Sequence, residues 1–390
     1  MTTMSHQPQT YDVIIVGGGL VGLCIAFHLV GSQRRVAVLL GTHQGMASLA
    51  AAGMLAPTCE WSPETPPAFL EFMRAGRAYY QTYLADLLGD AQRAEEIGYA
   101  ERQFLLLDLL ENEKGLSQRL ENLQATRANV AWLSRQEVYR LEPHINPEAI
   151  RGANLVAGDG LVNPRALHRL LLERLSQQQI DLLPANLLAV EERGAEFALR
   201  LESDETLLCP HVIIAAGAWS WEVAEKFHLD VPVSPCKGQI VQLSGPAGLL
   251  QRILFMPAGG CGCILERSPG TYIAGTSEEY VSAEVTNTSK VVAAILTRMN
   301  NVFLPAADFV IEQMWSGFRP LTPDELPIIS HTTDPRIIVA TGHFRNGVLL
   351  SPLTGLIVRS LLEGREPEVN IQPYRYQRTF HAHYRFASAY

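Results

Sequence analysis

The chain has 390 residues, of which 47% are hydrophobic and 18% charged, with a formal net charge of −9. That length exceeds one typical core and predicts two entwined domains, and the composition excludes a disordered chain. The acidic balance disfavours nucleic acid or an anionic membrane surface as the main partner; the polar start MTTMSHQPQT lacks the apolar core of a signal peptide, and no apolar run is long enough to span a bilayer.

The stretch from Tyr11 to Leu40 organises the rest. Val13–Val16 is a short β-branched run, as a buried parallel strand would be. Gly17, Gly19 and Gly22 follow in a G-x-G-x-x-G spacing, then an apolar helix over Leu20–Val30 and a second apolar strand over Val36–Leu40. Strand, glycines and helix arrive in the order that a dinucleotide-binding turn needs. Gly17 allows the tight turn, Gly19 lets backbone approach a pyrophosphate, and Gly22 lets helix and strand pack closely. The helix start offers N–H groups and a partial positive charge to phosphates. The acidic residue that normally ends the second strand is missing, since Leu40 is followed by Gly41, Thr42, His43 and Gln44. Either a neighbouring polar group or backbone holds the ribose, or that bond is absent. No Arg or Lys stands there to favour a 2′-phosphate, which argues against NADP.

Next, Gly45–Pro57 is rich in small residues. It reads as a surface on which a flat prosthetic group can lie, as a helix start packed under the sheet, or as both. Pro66–Leu88 reads as a helix, Phe104–Leu110 as a strand, 111–127 as helix-prone, and Ser134–Leu141 as a short helix with a Ser134/Glu137 capping box. Pro164 suits a first helical turn capped by Asn163, with the helix running through Arg165–Gln178. Strands are predicted at Ile180–Leu183, Leu187–Glu191, Phe197–Leu201 and Thr206–Leu208. The run His211–Trp219 is a hydrophobic strand ending in Ala-Ala-Gly, a second place where backbone can approach a dinucleotide. Together with Val13–Gly22 it suggests a nucleotide domain rebuilt from distant segments.

Pro232–Leu243, Arg252–Met256, Cys263–Arg267 and Tyr272–Gly275 read as antiparallel strands of a second domain, turned by Gly259, Gly260, Gly262 and Gly270. Lys290–Phe303 reads as a helix. Gln313–Pro320 leads into a turn-rich Leu321–Leu326, Ile337–Ala340 is a buried strand, and Thr341–Leu350 and Ser351–Leu362 are a loop and a helix. The six cysteines (Cys24, Cys59, Cys209, Cys236, Cys261 and Cys263) include no C-x-x-C pair. They read as reduced thiols of a cytoplasmic protein, with no metal site.

Four segments in order, VIIVGGGLVG, AAAGMLAP, the GFRP around Arg319 and GHFRNGVLLSP, resemble the D-amino-acid oxidase superfamily of flavoproteins. Within it they are similar to the glycine-oxidase branch associated with thiamine biosynthesis; VIIAAGAWS and PCKGQIVQL also fit. The likeness runs from about Tyr11 to Leu362. It implies an α/β fold: a Rossmann-like FAD-binding domain (11–60, 150–222 and 320–365), a second α+β substrate domain built on an antiparallel sheet (61–149 and 223–319), and a tail over 366–390.

The resemblance implies FAD as cofactor. It assigns contacts to Gly17, Gly19, Leu20, Val21, Gly22, Leu40, Gly41, Ser48, Ala52, Gly53, Met54, Leu187 and Gly217, and to His343, Phe344, Asn346, Gly347, Val348 and Leu349. Arg319 is the position that grips the substrate carboxylate through two parallel bonds. Arg345 is the second arginine, either touching substrate or holding its own loop through backbone carbonyls. Counting along the strands puts Cys263 and Glu278 where the family's pocket has a tyrosine and a methionine. That leaves a pocket with a carboxylate able to repel a plain amino acid or accept a cationic group, or else a misplaced gap with Glu278 or Glu279 solvated.

The reaction implied is oxidative deamination of glycine or another small amino acid or amine. A hydride passes from Cα to flavin N5, dioxygen becomes hydrogen peroxide, the imine hydrolyses, and the product is of a kind that can feed thiazole synthesis. No side chain, His343 included, is needed to abstract the Cα hydrogen. The alternatives are an amino-acid or secondary-amine dehydrogenase using another acceptor, or a non-catalytic flavin-binding subunit. The expected partners are a small amine substrate and dioxygen, in a homo-oligomer.

Overall fold

The computed structural model describes residues 8–89, 91–110, 129–256, 262–280 and 284–380. Cys261, Gly259, Gly260 and the stretch 111–127 lie outside the described residues. The chain divides into two units, each assembled from separated segments: Met1–Ser48, His168–Pro235 and Arg319–Tyr390 in one, Leu49–Leu167 and Cys236–Phe318 in the other.

The first unit is built on a six-stranded sheet in the order Ile180–Leu183, Val36–Leu39, Val13–Val16, His211–Ile214, Ile337–Thr341, Ile328–His331. The first five run parallel and the last is an antiparallel edge. Strand Val13–Val16 is buried throughout because both sheet faces are covered. A four-stranded sheet (Gln9–Thr10, Thr206–Cys209, Glu196–Leu201, Leu187–Arg193) contributes Phe197, Leu199, Leu201 and Leu207 to a core that also takes Ile14, Val16, Val212, Ile214 and Val339.

Helix Leu20–His28 packs against helix Gly347–Leu362, and the fit depends on Gly355. A Cβ there would lie 2.5 Å from His28 Nδ1 and 2.6 Å from the Cys24 carbonyl oxygen. The second helix begins four residues before the predicted Ser351 and carries Pro352 inside it. Proline has no N–H for the Val348 carbonyl, and the Ser351 hydroxyl donates to that carbonyl instead (3.1 Å).

The second unit is built on an eight-stranded sheet. Its order is Val310–Leu321, Ser234–Ser244, Thr271–Gly275, Cys263–Ser268, Ile253–Phe255, Phe104–Leu109, Ile150–Val156, Val130–Ser134. Ile253–Phe255 pairs in parallel with Phe104–Leu109, whereas the neighbouring pairs are antiparallel. One face packs on helix Ser289–Val302 through Leu105, Leu107, Val241, Leu254, Ile264, Ile295 and Met299. By the two-residue alternation of strands, Cys263, Phe255, Leu106 and Asn154 form one row on the other face.

Helix Pro67–Leu88 buries Phe69, Phe72, Met73, Tyr80 and Tyr83 and ends on Gly89 in the left-handed region (φ 68°). The capping box forms: Ser134 Oγ accepts from Glu137 N, and Glu137 accepts from Ser134 N. Asn163 caps helix Pro164–Ser176 through Arg165 N and Ala166 N.

Several strands escape a reading by pattern. Val130–Ser134 is largely exposed and Ile150–Val156 is broken by Arg151 and Gly152, so neither shows clean alternation. Val310–Leu321 is a single strand of 12 residues, longer than the predicted run into a turn; its exposed first half carries apolar residues where alternation would call for polar ones.

Candidate active site

In the first unit, the glycine turn sits at the carboxyl end of Val13–Val16, between neighbours on either side. Gly17 has φ +134°, and a Cβ there would meet the Ala215 carbonyl oxygen at 2.2 Å. A Cβ on Gly22 would lie 1.9 Å from the Gly17 carbonyl oxygen. These two glycines let helix and strands close on each other. Gly19 differs: a Cβ there would have only Ser48 Oγ near it, at 3.3 Å. Its backbone is therefore bare at the start of a nine-residue helix, which is the cradle a diphosphate requires. Ser48 Oγ accepts from Leu20 N (2.9 Å).

His168 was not singled out by the sequence; its Nε2 lies 2.8 Å from the Gly18 carbonyl oxygen, and burial lowers its pKa. Leu40 fits under Gly18, where a Cβ would strike its backbone at 2.6 Å. Beyond it, Gly41 turns the chain (φ 71°). Asn186 then accepts from Thr42 N (2.9 Å) and donates to Thr42 Oγ1 (2.6 Å) and Glu202 (2.9 Å). His43 stacks on Trp219 at 4.9 Å. A polar cluster from the loops flanking two other strands thus stands beyond Leu40, after the position where the ribose-binding acid is absent, and no local sequence signal marks it. Leu187 is buried at the start of its strand.

The ends of two parallel strands are tied together nearby. Ser220 Oγ donates to Thr341 Oγ1 (2.8 Å), which donates to the Gly217 carbonyl (3.1 Å). The chain then turns through Gly342 (φ 75°) and Phe344 (φ 46°), a left-handed conformation that is costly for an aromatic residue and that marks functional loops. His343 is 1% exposed and pairs with Thr354 Oγ1 at 2.9 Å. Burial pulls its pKa down to about 3, so the ring is neutral at physiological pH and serves as a packed loop anchor. Arg345 lies over the Phe344 ring at 4.9 Å. Asn346, Val348 and Leu349 are buried in the same turn and helix start as Gly347. Arg319 stands near the end of Val310–Leu321.

In the second unit, Gly53 has φ +88°, and a Cβ there would clash with the Val162 carbonyl oxygen at 1.9 Å. Ala52 is buried, and Met54 pairs with Leu161. Three side chains hold carbonyls of the preceding loop. Arg165 Nε donates to Leu49 (2.7 Å), Trp315 Nε1 to Ala50 (3.1 Å), and Arg267 Nη2 to Ala52 (2.5 Å). The Arg165 guanidinium also lies 4.1 Å over the Trp315 ring. The sequence offered no signal for these three residues. Cys263 is 1% exposed, beside Phe255 on one strand and Gly275 on the other. A small thiol next to a missing side chain leaves room on that face. Glu278 accepts from the Tyr280 hydroxyl (2.6 Å) in the turn beyond, and Glu279 accepts from Gln239 Nε2 and Ser277 Oγ. The described cysteines are buried thiols. Among the described residues no cluster of His, Cys, Asp and Glu is arranged to hold a metal ion, and no helix is long and apolar enough to cross a membrane.

A mainly parallel sheet with a bare glycine turn at a strand end, in one chain with a second, mostly antiparallel sheet, is the architecture of a dinucleotide-binding enzyme. The chain belongs to the FAD dependent oxidoreductase family, which it matches over residues 12–361, and its cofactor is FAD. It is 32% identical over 384 residues to the glycine oxidase of Geobacillus kaustophilus, covering 95% of this chain and 97% of that one. It is also 32% identical over 361 residues to the bifunctional protein ThiO/ThiG of Synechocystis sp., covering 90% of this chain but 52% of that one, so it spans about half the length of that relative. The crystal structure of the Geobacillus kaustophilus glycine oxidase superimposes with a TM-score of 0.87 at 29% identity, covering 96% of this chain and all of that one.

Proposed function

We propose that this enzyme catalyses the oxidative deamination of glycine or another small amino acid or amine. The observation that carries the reading is the strained Gly342–Gly347 turn, anchored from inside by a neutral His343, in a chain that matches a glycine oxidase along nearly its whole length. Bound FAD supplies a hydride acceptor whose electrons then pass to dioxygen, giving hydrogen peroxide. Gly17, Gly19, Leu20, Val21 and Gly22 hold its diphosphate. Leu40, Gly41, Ser48, Leu187 and Gly217 line the nucleotide part. Ala52, Gly53, Met54 and the 343–349 turn approach the ring, with Phe344, Asn346, Gly347, Val348 and Leu349 presenting backbone and apolar surface.

Arg319 binds the substrate carboxylate and fixes the Cα–H toward the acceptor, with Arg345 as second cation. No residue is required as base at Cα; the substrate amine sheds its proton to water. Cys263 and Glu278 shape the pocket, the thiol giving space and the carboxylate favouring an amine with added bulk or positive charge. Likeness to ThiO/ThiG supports a place in thiamine biosynthesis.

The test is anaerobic mixing of the holoenzyme with glycine, sarcosine and D-alanine. Bleaching of the flavin by at least one, with peroxide formed on admitting air, is the expected result. A flavin that stays oxidised with all three would overturn the reading, and bleaching without peroxide would convert it to a dehydrogenase. Arg319→Ala should keep the flavin spectrum and weaken substrate binding by roughly 2–5 kcal/mol, the cost of removing one partner of a desolvated charge pair.

A further inference from the structure

Arg267 presents a physical problem that its packing alone does not solve. It lies on strand Cys263–Ser268, where the register against Thr271–Gly275 shifts between Glu266 and Ser268. Its Nη2 holds the Ala52 carbonyl, while its Nε is enclosed with no hydrogen-bond partner. Among the described residues, the groups that act on its charge are Cys263 and a second cation, Arg165, and no carboxylate is one of them. Burial lowers the guanidinium to about 10, so it remains a cation at neutral pH.

A neutral donor is enough to hold a carbonyl, as Trp315 does for Ala50 two residues earlier. Holding a largely enclosed cation for that purpose costs more than a neutral donor would, and a half-buried charge with no carboxylate against it among the described residues is kept where an anion comes to meet it.

We propose that Arg267 is an electrostatic positioning residue for the flavin: it fixes Ala52 in the loop against the ring and directs an unneutralised positive charge at the ring when reduction makes it anionic. The charge balance is simple. A hydride brings two electrons and one proton, leaving the ring one negative charge richer, and the guanidinium opposes that charge without itself losing a proton. The inference rests on the assignment of Ala52, Gly53 and Met54 to the flavin, and it predicts a role that a purely structural arginine would lack.

The probe is sulfite, which adds to oxidised flavin and leaves the same extra negative charge. Three FAD-loaded variants are compared with the parent by sulfite titration and by dye-equilibrated reductive titration. Arg267→Met should weaken sulfite binding at least tenfold, about 1.4 kcal/mol, and lower the midpoint potential. Arg267→Lys keeps the charge and should stay within about threefold of the parent, a difference below 1 kcal/mol. Trp315→Phe removes a carbonyl donor without a charge and should weaken sulfite binding by less than Arg267→Met does. If Arg267→Met does not fold, the contrast between Arg267→Lys and Arg267→Gln decides in its place. Variants that lose the positive charge yet keep the parent's sulfite affinity and potential overturn the proposal while leaving the amine-oxidase reading intact. A parent that is not reduced by any amine defeats that reading, and the sulfite series still reports on Arg267.

Discussion

His343 and Asp159 are buried groups with opposite effects on stability as pH changes. The His343 pKa is depressed to about 3 in the folded chain against 6.5 when unfolded. Above pH 6.5 both states are neutral. Below it the unfolded chain takes a proton that the folded chain refuses, so stability is lost as pH falls. Asp159 is 2% exposed and accepts from Thr58 N and Cys59 N. Burial raises its carboxyl from 3.8 to about 6. Between those values the folded carboxyl keeps its proton while the unfolded one has lost it, so this group withdraws stability as pH rises. His343→Gln should therefore flatten the acid loss of stability between pH 6 and 4 by about 1.4 kcal/mol per pH unit at most. Asp159→Asn should gain on the parent as pH rises through the same window. Denaturant unfolding of both variants at several pH values checks the two slopes. Neither behaviour is legible from sequence, because a histidine in GHFRNG and an aspartate in AGDG look like surface residues until the fold encloses them.

At the Leu20–His28 and Gly347–Leu362 crossing, two elements meet through a glycine. Helix Leu20–His28 is uniformly apolar and shows no sided pattern, so its partners could not be read from periodicity. The structure places it against Gly347–Leu362, where Gly355 admits the Cys24 carbonyl and the His28 ring. Gly355→Ala should destabilise by about 1–3 kcal/mol, the usual cost of overpacking, measured as a lowered unfolding midpoint. Gly22→Ala should cost a similar amount and also weaken FAD binding, since its Cβ would press on the Gly17 carbonyl and open the turn. A flavin-fluorescence titration separates the two variants: retained FAD affinity in Gly355→Ala with loss in Gly22→Ala is the expected pattern. The helices announced by caps, such as Arg135–Leu141 and Pro164–Ser176, were predicted to within two residues because their start signals are local.

At the scale of the molecule, each unit is stitched from segments separated in sequence by stretches of the other unit. His211–Ile214 lies beside Val13–Val16, and Ile337–Thr341 beside His211–Ile214. Ligand binding to the folded chain alone therefore reports on long-range assembly. FAD added to apoprotein at about a hundred times its dissociation constant should add about 2.7 kcal/mol and raise the melting temperature by several degrees. NAD and NADP at equal concentration should leave the melting temperature unmoved. A melting curve indifferent to FAD would contradict the cofactor assignment.

Local order was enough to determine the class of this protein. A strand, three glycines and a helix in sequence specify a dinucleotide turn, and GHFRNG beside GFRP specifies a flavoenzyme family, because those constraints act within a few residues. Tertiary structure alone decided which charges are enclosed. The polar cluster of Thr42, Asn186 and Glu202, the neutral state of His343 and the Arg165–Trp315–Arg267 hold on Leu49–Ala52 all join segments distant in the chain. Burial and electrostatic surroundings depend on those long-range neighbours, and no residue carries them in its own identity.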